Sequence, residues 1–359
     1  MSNKPRIVIY GVGQYGRFFT RFAVERGWQI VAAFNRAGPK VGRDLGQEAG
    51  LGRDLGVIIQ DCETGDYEAL RGKADIGMVA QTNILSVNLP SYKRLMNAGL
   101  NVACHGSQSY FPFGCDTVIA AEIDAMGKKN NVTFRGGGIW DMSRIWSGIL
   151  LAGPCTEIKS LTHSSITDAC SGQVTPPQTI QIGVGMTVEQ FNASGLTQAP
   201  PLKAYKTIPE HVLTALGYTI SNTSVRIEPV LFDEPVESAF LGRTIPVGIC
   251  AGTRIVAAIE TKEGVTASAK IELRMFKPGE IEHMFWSVEG KPVTRVRVER
   301  DDSAHATASN LFNRVPDIIA AKPGVVTCGQ LGPMKHTALA KADSPQGTGA
   351  NAERSPVAA

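Results

Sequence analysis

The run Arg6-Ile7-Val8-Ile9-Tyr10-Gly11-Val12-Gly13-Gln14-Tyr15-Gly16-Arg17-Phe18-Phe19-Thr20 decides the fold. An apolar β-branched segment meets a Gly-x-Gly-x-x-Gly turn. The turn leads straight into the helical pattern of Phe18, Phe19, Phe22 and Ala23. Strand, glycine turn and helix in that order form the context that a dinucleotide requires. Gly11 permits a tight turn, Gly13 allows the main chain to approach a pyrophosphate, and Gly16 lets helix and strand pack closely. The phosphates are then expected at the helix N-terminus, where free N–H groups and the dipole favour anions, beside Val12, Gln14 and Tyr15.

Residues 29–34 read as a second buried parallel strand. A carboxylate commonly follows such a strand and binds the ribose hydroxyls of NAD, but here Asn35 and Arg36 follow. A guanidinium suits a 2′-phosphate, and Lys40 and Arg43 lie on the same loop. The expected cofactor is NADP(H), with NAD(H) as the alternative. The loop to residue 56 carries Gly-Arg-Asp-Leu-Gly twice, at 42–46 and 52–56, too few copies for a structural repeat. It reads as a long connection beside the adenosine end of the cofactor.

At 359 residues the chain has room for two domains, and with 43% hydrophobic and 19% charged residues it reads as a soluble globular enzyme. Its apolar runs fall well below the ~20 residues that span a bilayer, and Met1 to Pro5 shows no signal-like apolar region. A cytoplasmic protein is expected, with no membrane partner. The seven cysteines are scattered without Cys-x-x-Cys or zinc-ligand spacing, so free thiols and no metal are expected. A net charge of +3 without a basic aromatic stripe argues against nucleic acid.

Along the chain, residues 57–60, 75–80, 101–104 and 131–135 read as further strands, and 67–71, 85–99 and 118–128 as helices. Gln81 and Thr82 close one strand and His105-Gly106-Ser107-Gln108-Ser109-Tyr110 closes the next. Both tips lie on the ligand-binding edge of a doubly wound sheet. The run Gly136-Gly137-Gly138 marks a domain boundary. Beyond a helix at 144–151, the segments 157–166, 180–184, 225–231, 245–250, 253–261 and 265–276 alternate as strands with few helices between them, which implies a mostly antiparallel sheet. The expected class is therefore α/β: an N-terminal Rossmann doubly wound parallel sheet (1–138) and a C-terminal α+β domain (139–304) that binds substrate and dimerises. A second subunit is expected to cover one face of the second sheet. An amphipathic helix at 311–321 returns to the first domain within 305–333, and the composition of 338–359 reads as a disordered tail.

Taken together, several segments carry a resemblance: the glycine turn at 11–16, Asn101-Val102 with Tyr110-Phe111-Pro112, Gly136 to Ile139, Gly183-Val184-Gly185-Met186-Thr187-Val188-Glu189-Gln190-Phe191, and Ala321 to Thr327. Up to about Pro333 the chain resembles the family of 2,4-diaminopentanoate dehydrogenase and the native amine dehydrogenases, which share the N-terminal domain of dihydrodipicolinate reductase. The resemblance implies reversible deamination of an amine, or reductive amination of a ketone, with NAD(P)(H). It also implies a glutamate near Ser107 and Gln108, where this chain has none. A carboxylate there holds ammonium or iminium and helps move protons, whereas Ser107 and Gln108 offer hydrogen bonds alone. His105 and Tyr110 are the other catalytic candidates. In the second domain, residues 162–172 resemble the His-rich loop of dihydrodipicolinate reductase, but Ile166 stands at its catalytic lysine, which argues against that activity. His163 and Asp168 remain candidate substrate contacts, with Trp140, Met142 and Trp146 as candidate walls of an apolar pocket. The readings are an NADP(H)-dependent amine dehydrogenase or imine reductase, a ketone or aldehyde reductase independent of ammonia, and a non-catalytic NADP-binding sensor or scaffold.

Overall fold

The computed structural model describes residues 4–170, 181–238, 241–334 and 336. The expected tail lies outside them. Strands β1 (Arg6–Tyr10), β2 (Gln29–Asn35), β3 (Ile59–Asp61), β4 (Ile76–Val79), β5 (Asn101–Cys104) and β6 (Thr133–Gly136) form one parallel sheet. Their near-continuous apolar sequences follow from burial on both faces. Ile7 and Ile9 of β1 face the helix Gln14–Glu25 side, in a core with Phe19, Leu311 and Phe312. Val8 and Tyr10 face the opposite core with Tyr92, Leu95 and Phe134. The chain runs outward from β1 through β2 to β3, then returns to place β4 on the other side of β1. The switch point therefore lies between β1 and β4, where ligands of open parallel sheets bind.

The second sheet comprises β7 (Glu157–Asp168), β8 (Ile220–Leu231), β11 (Cys250–Thr261), β12 (Thr266–Arg274), β13 (His283–Lys291) and β14 (Thr294–Glu299), in the order β14-β13-β7-β12-β11-β8. A separate two-stranded ribbon pairs β9 (Val236–Ser238) with β10 (Arg243–Ile245). Only the β7–β12 pairing in the larger sheet is parallel, so the mostly antiparallel reading holds.

One face of this sheet is covered within the chain. Leu161, Ile255, Ala257, Ile271 and Trp286 share a core with Ile145, Ile208, Val212 and Leu213, so the chain's own helices cover the apolar face. The opposite face carries Thr162, Arg226, Ser268, Lys270, Arg295 and Arg297, polar side chains that tolerate water.

Other expectations shift as well. The strand expected at 180–184 begins outside the described residues and continues as turns, with Gly183 and Gly185 at φ +81° and +82°. Of the strand expected at 245–250, only Ile245 ends a strand, that of the small ribbon, and Cys250 already opens β11. Both β13 and β14 were unread, as was helix Thr207–Ala215. The returning helix is two: Ser303–Asn313 and Val315–Ala320. Pro316 sits in the first turn of the second, where its missing N–H costs nothing, but it cannot continue the first. Ser303–Asn313 lies against Gln14–Glu25, with Phe312 stacked on Trp28 at 4.3 Å, and β15 (Gly324–Val325) adds to β6 as the sheet's last strand.

Candidate active site

At the switch point, Gly11 adopts φ +96°, and a Cβ there would lie 2.6 Å from the Ala80 carbonyl oxygen. A Cβ on Gly16 would lie 2.0 Å from the Gly11 carbonyl oxygen, so turn and helix meet only because both positions lack side chains. Gly13 has nothing within 4 Å of a Cβ, which leaves its flank open. Helix Gln14–Glu25 starts at Gly13 without a side-chain cap and without an acid in its first turn. Its free N–H groups and an unblocked approach fit a pyrophosphate. Asn35 Oδ1 accepts the Val12 N–H at 3.0 Å, so Asn35 fixes the turn, and Lys40 Nζ donates to the Val12 carbonyl at 2.5 Å. Burial and the neighbouring Arg17 push the Lys40 ammonium below its ordinary range. Arg36 is exposed and makes no side-chain hydrogen bond or ion pair among the described residues, whereas Arg43 pairs with Glu48 at 3.0 Å.

From this turn a cavity of about 1130 Å³ runs to the second sheet. It exceeds the ~300–1,000 Å³ of a site for one small ligand. Its first-domain wall includes Gly13, Gln14, Tyr15, Gln81, Thr82, His105, Ser107 and Tyr110. The two tips are tied together: Ser107 N–H donates to Asn83 Oδ1 at 3.1 Å, and Gln108 N–H donates to the Asn83 carbonyl at 3.3 Å.

The candidates on the β5 tip separate sharply. Residues 107–109 form one 3₁₀ turn, on which successive side chains diverge. Ser107 lines the cavity with a buried hydroxyl that has no hydrogen-bond partner among the described residues. Gln108 does not line it. Its Oε1 accepts the Leu85 N–H at 2.7 Å and caps helix Leu85–Asn97, so its expected catalytic place is corrected. Tyr110 is 4% exposed and packs on Trp140 with ring centroids 4.8 Å apart. Burial holds its hydroxyl well above the ordinary phenol range, so the proton stays on oxygen at neutral pH. The His105 ring lies 4.1 Å from Tyr15, with Nδ1 3.4 Å from the Val79 carbonyl. Burial lowers its pKa to about 4. Burial thus favours the uncharged ring at neutral pH.

This histidine has a consequence for stability. A pKa depressed from 6.5 to about 4 means that the unfolded chain binds the proton first as pH falls. His211, lowered to about 3 by burial and then by Arg135, and His163, also lowered by burial, act in the same sense. Stability from these groups is complete above pH 6.5 and is lost as pH drops toward 4. Urea midpoints should fall steadily between pH 7 and pH 4.5, and a flat profile would contradict burial of the neutral rings.

In the second domain, Trp140 and Asp168 line the cavity. Asp168 Oδ1 accepts the Cys170 N–H at 2.9 Å, and burial raises its pKa. His163 and Met142 are corrected. His163 is fully buried on the helix-covered face of β7, its ring 4.6 Å from Trp286. Met142 is 41% exposed and, with Trp146 and Leu150, lines a separate apolar recess of about 320 Å³. The sequence reading missed Arg144, Tyr205, Glu280, Glu282, Arg300 and Asp302, all of which line the cavity. Arg144, a cation inside the mainly apolar run 139–151, carried the one local signal.

The fold, the glycine turn and the relatives that the chain resembles are those of NAD(P)-dependent oxidoreductases. Within that class, the expected likeness to the family of 2,4-diaminopentanoate dehydrogenase and amine dehydrogenase holds over nearly the whole chain. The chain is 23% identical over 342 residues to 2,4-diaminopentanoate dehydrogenase of Acetoanaerobium sticklandii, covering 90% of this chain and 92% of that one. It superposes on amine dehydrogenase from Mycobacterium smegmatis with a TM-score of 0.82 at 26% identity, covering 94% of this chain and 98% of that one. Biliverdin reductase from Synechocystis sp. PCC 6803, solved with biliverdin and NADP+, shares the fold at 12% identity and a TM-score of 0.54, over 90% of this chain and 94% of that one. No protein-family model matches the chain.

Proposed function

We propose that the protein is an NADP(H)-dependent amine dehydrogenase that interconverts a primary amine with the corresponding imine and ketone. The observation that carries this reading is the acidic far wall of the cavity, where Asp168, Glu280, Glu282, Asp301 and Asp302 outnumber Arg144 and Arg300. An ammonium or iminium is stabilised there, which answers the missing glutamate at 107 and 108 from the opposite side. Glu280 is engaged by Arg274, Glu282 by Arg300, and Asp302 caps a helix. Asp168 makes no ion pair among the described residues and is the carboxylate assigned to the substrate nitrogen. The bound dinucleotide supplies the hydride. The chain supplies position and protons: Ser107 and Tyr110 present hydroxyls to the reacting centre, Trp140 and Tyr110 exclude water beside it, and Tyr110 holds the proton destined for nitrogen or oxygen. Ammonium-dependent consumption of NADPH with a ketone tests this reading. Consumption indifferent to ammonium would instead establish the ketone reductase reading, which the neutral Ser107 favours.

The preference for NADP(H) is supported by Arg36 without a partner at the end of β2, by the absence of a carboxylate there, and by Arg17 and Lys40 nearby. Arg36→Ala should weaken NADPH binding by about 10- to 100-fold, the loss expected for a charge-assisted contact, while NADH binding changes little. Equal losses in calorimetric titrations would contradict the assignment. A homodimer remains part of the proposal, and light scattering on the purified protein checks it.

A further inference from the structure

The run Gly136-Gly137-Gly138 does more than join the two domains, because it is fitted against the β5 tip that carries Ser107 and Tyr110. A Cβ on Gly136 would lie 1.8 Å from the Ser109 carbonyl oxygen, and Gly137 N–H donates to the Cys104 carbonyl at 2.9 Å. Gly138 meets a side chain of the tip instead of its main chain. At φ +152°, its Cβ would fall 2.2 Å from Tyr110 Oη, 2.8 Å from Thr307 Cγ2 and 3.2 Å from Tyr110 Cζ. The phenol therefore rests in the space that a side chain at 138 would fill. Other contacts fix the ring rather than the hydroxyl: Tyr110 packs on Trp140, which packs on Tyr205 with ring centroids 4.7 Å apart. Gly138 itself is held in place. The Asp141 N–H donates to its carbonyl at 3.0 Å, where the π-helix Asp141–Trp146 begins.

We propose that Gly138 is a positioning residue, whose missing side chain sets where the Tyr110 hydroxyl stands in the wall of the cavity. This rests on the reading of Tyr110 as the proton donor. A tyrosine side chain turns about two bonds, so ring packing together with one contact at the hydroxyl is enough to place the donor atom. A methyl at 138 drives that atom aside, while the dinucleotide turn at 11–16 lies on another loop and keeps its shape. Proton transfer needs heavy atoms within ~2.6–3.2 Å of each other, and a displacement of about 1 Å costs on the order of 100-fold in rate. Glycine is also the residue that tolerates this φ, so loss of the seat has to be separated from backbone strain.

A double-mutant cycle over Gly138→Ala and Tyr110→Phe makes that separation. The readouts are the thermal midpoint of the full chain, NADPH affinity by calorimetry, and NADPH consumption with simple ketones and ammonium. Gly138→Ala alone should lower the midpoint by about 2–5 °C and kcat by on the order of 100-fold, with NADPH affinity unchanged. In the Tyr110→Phe background no hydroxyl stands in the way, so the same substitution should cost no more than about half of that midpoint shift and leave kcat at the Tyr110→Phe level. A double variant that folds where Gly138→Ala alone does not would support the proposal equally. Equal midpoint losses in both backgrounds, or unfolding in both, would make Gly138 a requirement of the backbone alone and overturn it. So would a wild-type kcat in Gly138→Ala when Tyr110→Phe is impaired. If Tyr110→Phe turns over like the wild type, the donor reading fails, and the coupling of midpoints still decides whether Gly138 seats the phenol.

Discussion

Tyr110→Phe is expected to lower kcat by about 10²- to 10⁴-fold, the range for loss of a positioned proton donor, with dinucleotide affinity unchanged. The hydroxyl makes no hydrogen bond to a described residue, so its removal leaves no buried group unsatisfied, and the ring keeps its contact with Trp140. Stability should therefore hold or rise slightly, since a buried hydroxyl without a hydrogen bond costs free energy. Because burial keeps this phenol protonated far above neutral pH, the wild-type rate should show no loss assignable to Tyr110 ionisation between pH 7 and 9. A kcat within threefold of wild type would remove Tyr110 as the donor. Ser107, whose hydroxyl also has no partner among the described residues, would then be the group to replace next.

Gly16→Ala should reduce affinity for both dinucleotides by on the order of 10²-fold or more, since a displacement of about 1 Å at a positioning element has costs of that size. The added Cβ would fall 2.0 Å from the Gly11 carbonyl oxygen, a backbone atom that cannot rotate away. Either the turn opens or the helix moves off the strand, and both misdirect the N–H groups at the helix start. Such overpacking also costs about 1–3 kcal/mol of stability. A matched Gly13→Ala variant meets nothing within 4 Å in the protein, so its folding should be near normal while binding falls, because its methyl occupies the ligand's space. Tight dinucleotide binding by both variants would show that the glycine turn is not the phosphate site.

The second sheet illustrates how an alternating pattern misleads about partners. Period-two segments announced a sheet with one apolar face, and that face exists at Ile255, Ala257 and Ile271. The pattern does not say what lies upon it. The cover includes Thr207–Ala215, a helix that gave no clear signal beforehand and that buries Ile208, Val212 and Leu213. Burial on one face is a local property of a strand, whereas the identity of the covering element is set by chain connections dozens of residues away.

By itself the sequence determined the nucleotide-binding half, because its signals are local: a buried run, three glycines at fixed spacing, and a strand ending in Asn35 and Arg36 rather than an acid. The cavity was legible only as an address, the tips after β4 and β5. The tertiary structure decided which side chains reach it. One short turn sends Ser107 inward and Gln108 to a helix end, the pairing of β7 with β13 buries His163 against Trp286, and Trp140 and Tyr205 pack over Arg144. Such orientations depend on strand register and on contacts between residues far apart in the chain, which spacing along the sequence does not encode.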